Sequence, residues 1–112
     1  FTIERQKKLY DKTKKFLNQL GYRNIKTFYG DGYKGLPTFG PFDKAIVTAG
    51  APFVPHDLLV QLKNGGILVI PVDVEDDVQE MISIKRISES EFERKEHGKF
   101  RFVPMLNNKA QD

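Results

Sequence analysis

The sequence predicts an α/β protein with a mainly parallel sheet and an antiparallel pair of strands at its edge. Three observations carry that expectation. Short apolar stretches alternate with amphipathic helical stretches, the order that βαβ units impose. The run Ile67 to Val72 is almost continuously apolar, as strands covered on both faces are. The third is scale: 112 residues, 39% hydrophobic and 29% charged, are enough for one domain or part of one.

Phe1 to Glu4 alternates apolar and polar residues and reads as a strand. A helix of about four turns is expected from Arg5 to Leu20, because Leu9, Thr13, Phe16, Leu17 and Leu20 recur at helical spacing. Gly21 is suited to stop it. A second strand is expected near Asn24 to Tyr29. The Gly- and Pro-rich segment Gly30 to Pro41 follows, a loop long enough to be functional. Lys44 to Ala49 reads as a third strand. Pro55 can open a helix, since its missing N–H costs nothing there, and Leu58, Leu59 and Leu62 give that helix an apolar face. Asn64-Gly65-Gly66 is expected to stop it before the strand Ile67 to Val72. Asp73 to Asp77 reads as an acidic turn, and Val78 to Ile87 as a partly alternating strand. Phe100 to Val103 is expected to be the last strand, with charged Ser88 to Lys99 joining the two as an antiparallel edge pair. The tail Asn107 to Asp112 is polar and expected to fray.

Composition excludes several classes of function. There is no Cys, so thiolate metal sites, disulfides and cysteine nucleophiles are out, and a cytoplasmic setting fits best. No apolar run reaches the roughly 18 residues a membrane span needs. The net charge of +3 is mild, and acids and bases interleave apart from the basic stretch Lys7 to Lys15. That stretch reads as the solvated face of the first helix, with no aromatic side chains among its exposed positions, rather than as a nucleic-acid or lipid surface. His56 and His97 have no partner at ligand spacing and no evident Ser or Asp relay, so no metal site is expected. Because the chain opens at Phe1 directly on a strand, it is expected to be part of a longer protein.

In an open α/β sheet, ligands bind beyond the carboxyl ends of the strands. Glu4 ends the first strand. Its carboxylate can accept two hydrogen bonds from the vicinal hydroxyls of a ribose, or it can simply be a solvated charge at a helix N-terminus. Asp31, between Gly30 and Gly32, can accept from an exocyclic amine such as that of adenine, or can form an ordinary Asp-Gly turn. Thr48-Ala49-Gly50-Ala51-Pro52 leaves room for a substrate and offers backbone groups to a peptide, or serves close helix–sheet packing. Phe39 and Phe42, flanking Gly40-Pro41, read equally as a lid or as anchors of the loop.

Several of these features together resemble one family. They are Ile3-Glu4-Arg5, Leu20-Gly21-Tyr22, Asn24-Ile25, Gly30-Asp31-Gly32 with Gly35, and Pro41-Phe42-Asp43. Val47-Thr48-Ala49-Gly50-Ala51-Pro52 with Val54-Pro55 follows, then Gln61 to Gly66, Leu68 to Val72, and Phe102-Val103-Pro104. The chain resembles the C-terminal half of a protein-L-isoaspartate O-methyltransferase, and the run from Thr48 to Pro55 is the most specific part. The resemblance implies an incomplete Rossmann-like S-adenosylmethionine-dependent methyltransferase fold, with residues 1–112 one partial domain. It implies methyl transfer from S-adenosyl-L-methionine to the α-carboxylate of isoaspartyl residues, as protein repair. Isoaspartyl peptides and proteins are then the partners, with no nucleic acid and no membrane. In the family pattern Glu4 matches the residue that holds the ribose, Asp31 and Gly32 the pair that holds the adenine, and Leu106 a residue that approaches the cofactor, with Arg5 and Gly30 also in the cofactor site. Thr48, Ala49, Gly50, Ala51 and Pro52 match the border of the substrate.

The resemblance also implies departures. The Gly-rich cofactor turn and the active-site Ser segment of the family lie upstream, so no catalytic residue is expected in this chain, which alone should be inactive. Gly50 stands where Ala is usual. A family strand that would lie between those starting at Phe1 and Lys44 is missing, so their edges are expected either to pair between chains or to stay unordered. Two other readings compete: a different nucleotide-binding α/β enzyme, either a dehydrogenase or a small-molecule methyltransferase, and a non-enzymatic module using the basic helix.

Overall fold

The computed structural model describes residues 1–110. Its elements are β1 (Thr2–Glu4), α1 (Lys7–Gln19), β2 (Thr27–Tyr29), β3 (Phe42–Ile46), α2 (His56–Val60), β4 (Leu62–Glu75), β5 (Val78–Arg86) and β6 (Phe92–Phe100). They form two sheets, a two-stranded one in the order β1-β2 and a four-stranded one in the order β3-β4-β5-β6. The chain divides into two compact units, residues 1–35 with 106–112 and residues 36–105.

The first unit is a βαβ arrangement. β1 and β2 run parallel, with Thr2 opposite Thr27, Ile3 opposite Phe28 and Glu4 opposite Tyr29. α1 carries the expected stripe and ends where predicted. Tyr22 N–H donates to the Leu17 carbonyl, and Gly21 takes a φ of +82°, a conformation that glycine enters without a Cβ penalty. The stripe is not buried: Leu9, Phe16 and Leu20 are each about half exposed. The expected fraying tail is corrected as far as Ala110. Ala110 N–H donates to the Arg5 carbonyl, its carbonyl accepts from Lys7 N–H and from the Tyr29 hydroxyl, and Gln6 pairs with it in parallel. The first N–H groups of a helix need partners outside it, and this segment supplies one to Lys7. Residues 111 and 112 lie outside the described residues.

The second unit holds the core. β3 and β4 are parallel, while β4–β5 and β5–β6 are antiparallel. Leu68, Ile70 and Val72 of β4 and Ile82 and Ile84 of β5 alternate onto one face and are buried. Val54, Leu58, Leu59, Phe92 and Met105 pack against them.

Three boundaries differ from expectation. β3 begins at Phe42 and ends at Ile46, where Lys44 to Ala49 is expected, and Val47 N–H still donates to the Val69 carbonyl. β4 starts at Leu62 and extends through Glu75, so Leu62 ends up buried in a strand. Asn64-Gly65-Gly66 is absorbed as a bulge, with Gly65 at a φ of +86° and the β3 pairing jumping from Phe42–Leu62 to Lys44–Ile67. The last strand is β6, inside the charged stretch expected to be a connector, whereas Arg101 to Val103 is not a strand. β6 reaches pairing through its backbone, and its side chains stay largely exposed.

Candidate functional site

β1 and β2 are parallel and in register, so the residues following them emerge from the same, carboxyl end of the sheet. Glu4 is opposite Tyr29, and Gly30 N–H donates to the Glu4 carbonyl at 3.0 Å. This backbone link places Glu4 and the Gly30-Asp31-Gly32 turn on neighbouring strand tips.

Both carboxylates are partly buried, and each spends one oxygen on local backbone. Glu4 Oε2 accepts from Gln6 N–H at 3.0 Å, at the point where the chain turns into α1. Asp31 Oδ1 accepts from Tyr33 N–H at 2.9 Å and caps a single 3-10 turn, Gly32–Lys34. The local readings of both residues are therefore realised. They leave the other oxygen of each without a protein hydrogen bond among the described residues. These caps fix the carboxylate orientations and keep one acceptor open on each.

Arg5 serves the tail: its Nε donates to the Asn107 carbonyl at 3.1 Å. Leu106 is the residue before Asn107 and is about half exposed. Glu4, Arg5, Gly30, Asp31, Gly32 and Leu106 all belong to the first unit.

Thr48 to Pro52 belongs to the second unit, and one expectation about it needs correction. The backbone groups of Gly50 and Ala51 are not offered to a peptide. Gly50 N–H donates to the Val103 carbonyl and Gly50 carbonyl accepts from Met105 N–H, at 2.6 and 2.7 Å. Ala51 N–H donates to the Pro71 carbonyl and its own carbonyl accepts from Asp73 N–H, both at 2.8 Å. The chain beyond β3 thus continues the sheet, between the end of β4 and the Val103–Met105 segment. Gly50 and Ala51 are buried, while Thr48 and Pro52 are exposed.

Gln79 was not singled out in the sequence, and nothing about an amide on a strand flags it. It is 4% exposed, and its side chain lies against Gly50.

Two other readings are corrected. His97 does have a serine beside it, with Ser83 Oγ 2.7 Å from its Nε2 on the exposed side of the sheet. No carboxylate joins that pair among the described residues, so it lacks the third member of a relay. The basic helix does carry aromatics among its lysines: Lys7 and Lys14 ammonium groups lie 5.7 and 5.8 Å from the Tyr10 ring centroid, and Phe16 is 57% exposed. Among the described residues no helix is long and apolar enough to cross a membrane.

Comparison with known proteins gives a consistent picture. The family model described as protein-L-isoaspartate(D-aspartate) O-methyltransferase matches residues 1–110. The chain is 59% identical to a protein-L-isoaspartate O-methyltransferase of Christiangramia forsetii, over 97% of this chain and 50% of that protein. It is 51% identical to the one of Flavobacterium johnsoniae over the same shares. Among solved structures, a protein-L-isoaspartate O-methyltransferase superposes with a TM-score of 0.84 at 29% identity, covering 91% of this chain and 32% of that one. The fold is also shared with a putative enzyme of that name from Plasmodium falciparum, solved with S-adenosyl-L-homocysteine, at a TM-score of 0.77 and 23% identity. The chain spans about half the length of the curated relatives it matches.

Proposed function

Since the chain belongs to the protein-L-isoaspartate(D-aspartate) O-methyltransferase family, we propose that it is the C-terminal part of one methyltransferase domain. That domain would use S-adenosyl-L-methionine to methylate the α-carboxylate of isoaspartyl residues in proteins and peptides. The observation that carries this reading is the placement of Glu4 and Asp31 at adjacent tips of parallel strands, linked through the Gly30–Glu4 backbone hydrogen bond.

The donor set fits the cofactor. A ribose offers two hydroxyl donors and adenine one amine, and the open oxygens of Glu4 and Asp31 are acceptors. Glu4 would take the ribose and Asp31 the adenine amine, with Arg5, Gly30, Gly32 and Leu106 framing them. When bound, S-adenosyl-L-methionine supplies a methyl group activated by its positive sulfonium. The acceptor carboxylate is already ionised at neutral pH, since a free α-carboxyl titrates near ~3.5. This chain therefore needs no general base. The part proposed for the first unit is to hold the adenosine end of the donor, and that proposed for the second is to border the substrate through the exposed Thr48 and Pro52, flanking Ala49, Gly50 and Ala51. The Cys-free composition suits a cytoplasmic setting.

Calorimetry on the full-length polypeptide tests the assignment. S-adenosylhomocysteine should bind and NAD should not. Glu4→Gln and Asp31→Asn should each weaken S-adenosylhomocysteine by about 1.5–3 kcal/mol, the worth of a hydrogen bond to a charged acceptor. Wild-type affinity in both variants would remove these residues from the site. The 112-residue chain alone is expected to show no turnover of an isoaspartyl peptide, and measurable turnover would overturn that part of the reading.

A further inference from the structure

Gln79 is a buried amide in a place where backbone segments from three parts of the second unit meet. It sits opposite Asp73 in the β4–β5 register. Its Nε2 donates to Asp73 Oδ1 at 2.9 Å, and its Oε1 accepts from Phe102 N–H at 2.6 Å. The orientation of the amide is dictated by its partners, because a carboxylate can only accept and a backbone N–H can only donate. Its side chain also lies flat on Gly50: a Cβ there would come within 2.8 Å of Gln79 Cδ and 2.9 Å of its Cγ.

The neighbouring backbone bonds explain why this matters. Gly50 is held on one side by Val103 and Met105, and Ala51 on the other by Pro71 and Asp73. Gln79 is bonded to Asp73 and to Phe102, one anchor on each of those two sides, and fills the space over Gly50 between them. It thereby sets the spacing of the slot into which Gly50 and Ala51 are inlaid, and so the positions of Thr48 and Pro52 at its two ends.

We propose that Gln79 is a positioning residue for the isoaspartyl substrate, acting through Gly50 and Ala51. This rests on the function proposed above, with Thr48 to Pro52 bordering the substrate. It adds a residue outside the sequence motifs, with an effect on the peptide and none on the cofactor.

The test is steady-state kinetics on the full-length enzyme with an isoaspartyl peptide and S-adenosyl-L-methionine. Gln79→Ala is expected to raise KM for the peptide about tenfold, with KM for S-adenosyl-L-methionine unchanged within about twofold. Asp73 is exposed, so its variants avoid loss of the core. Asp73→Ala, which frees one end of the amide, should raise peptide KM in the same direction, and Asp73→Asn, which retains an acceptor, should restore it. A purely structural role would lower Tm in Gln79→Ala and Asp73→Ala and leave the peptide KM alone, which would overturn the proposal. An equal rise in both KM values would also overturn it. Failure of the wild-type enzyme to methylate the isoaspartyl peptide would instead refute the proposed function, so the two failures are distinguishable.

Discussion

The two units of this chain solve different problems. Residues 36–105 contain every residue of the buried apolar cluster, Ala51, Leu62, Leu68, Ile70, Val72, Ile82 and Ile84. Residues 1–35 contain two three-residue strands and a helix with no buried residue, yet they carry both open carboxylates. A two-stranded sheet is marginal in water without further strands or helices covering it. The contrast teaches that in this chain the buried core and the two carboxylates proposed to hold the cofactor reside in separate segments. The carboxylates are aimed by local backbone caps and parallel register, with little help from a core.

The largest effect expected from that contrast is in the core. Ile70 and Leu68 are fully buried, so truncating either to Ala removes apolar contacts and leaves a cavity, at a cost of about 2–5 kcal/mol. Phe16→Ala, on the half-exposed stripe of α1, should change stability by no more than about 0.5 kcal/mol. Urea unfolding midpoints of the three variants check this. A Phe16→Ala cost equal to that of Ile70→Ala would break the comparison, because it would mean that the stripe is covered.

A smaller effect is expected at Arg86, which stitches the second unit together. Its guanidinium donates to the carbonyls of Val60, Leu62, Ser88 and Glu89, at 2.9 to 3.1 Å. It also lies over the Phe92 ring. One planar fork thus closes the end of α2, the start of β4 and the β5–β6 turn. Arg86→Lys should cost about 2 kcal/mol, because a single ammonium cannot reach four carbonyls in that geometry. Thermal unfolding measures it. Arg5 is the nearest counterpart in the first unit, and Arg5→Lys should shift Tm less; the reverse order would show that the tail, rather than the sheet, limits stability.

The sequence was legible wherever side-chain burial decides structure. The apolar run within β4 is legible for that reason, whereas the period of α1 and the stop at Gly21 are legible from helical spacing and from glycine's freedom at positive φ, without burial. β6 was missed because Glu93 to Lys99 has no apolar alternation. It is a strand because β5 offers it a row of backbone partners, and edge strands with many charges resist pairing further outward. The one-residue bulge at Gly98, with a φ of +108°, adds to that protection. The start of β4 was missed because Asn64-Gly65-Gly66 looks the same as a helix stop or as a bulge. Of the candidate site, Glu4 and Asp31 were legible from their place after strands. The inlaying of Gly50 and Ala51 was not, because it depends on Val103 to Met105, which is more than fifty residues away in sequence.

The smallest effect, and the one that most sharply probes the first unit, is at Lys7 and Asp11. Lys7 Nζ donates to both Asp11 carboxylate oxygens, at 2.9 and 3.0 Å, one turn along α1. That hydrogen bond holds the Lys7 ammonium above the ordinary lysine value; slight desolvation opposes it, and the Asp11 charge reinforces it. The folded pKa is raised, so the stabilisation is fully present below the unfolded lysine value of about 10.4 and disappears as pH climbs through the folded value. The pair is solvent-exposed and has lysine N-terminal to the acid, the weaker of the two helical orientations. Asp11→Asn should therefore lower the far-UV circular dichroism of the helix slightly at about pH 8 and make no difference at about pH 12. Added salt should shrink the difference at the lower pH. A difference that persists at the higher pH would mean that Asp11 supports α1 through something other than Lys7.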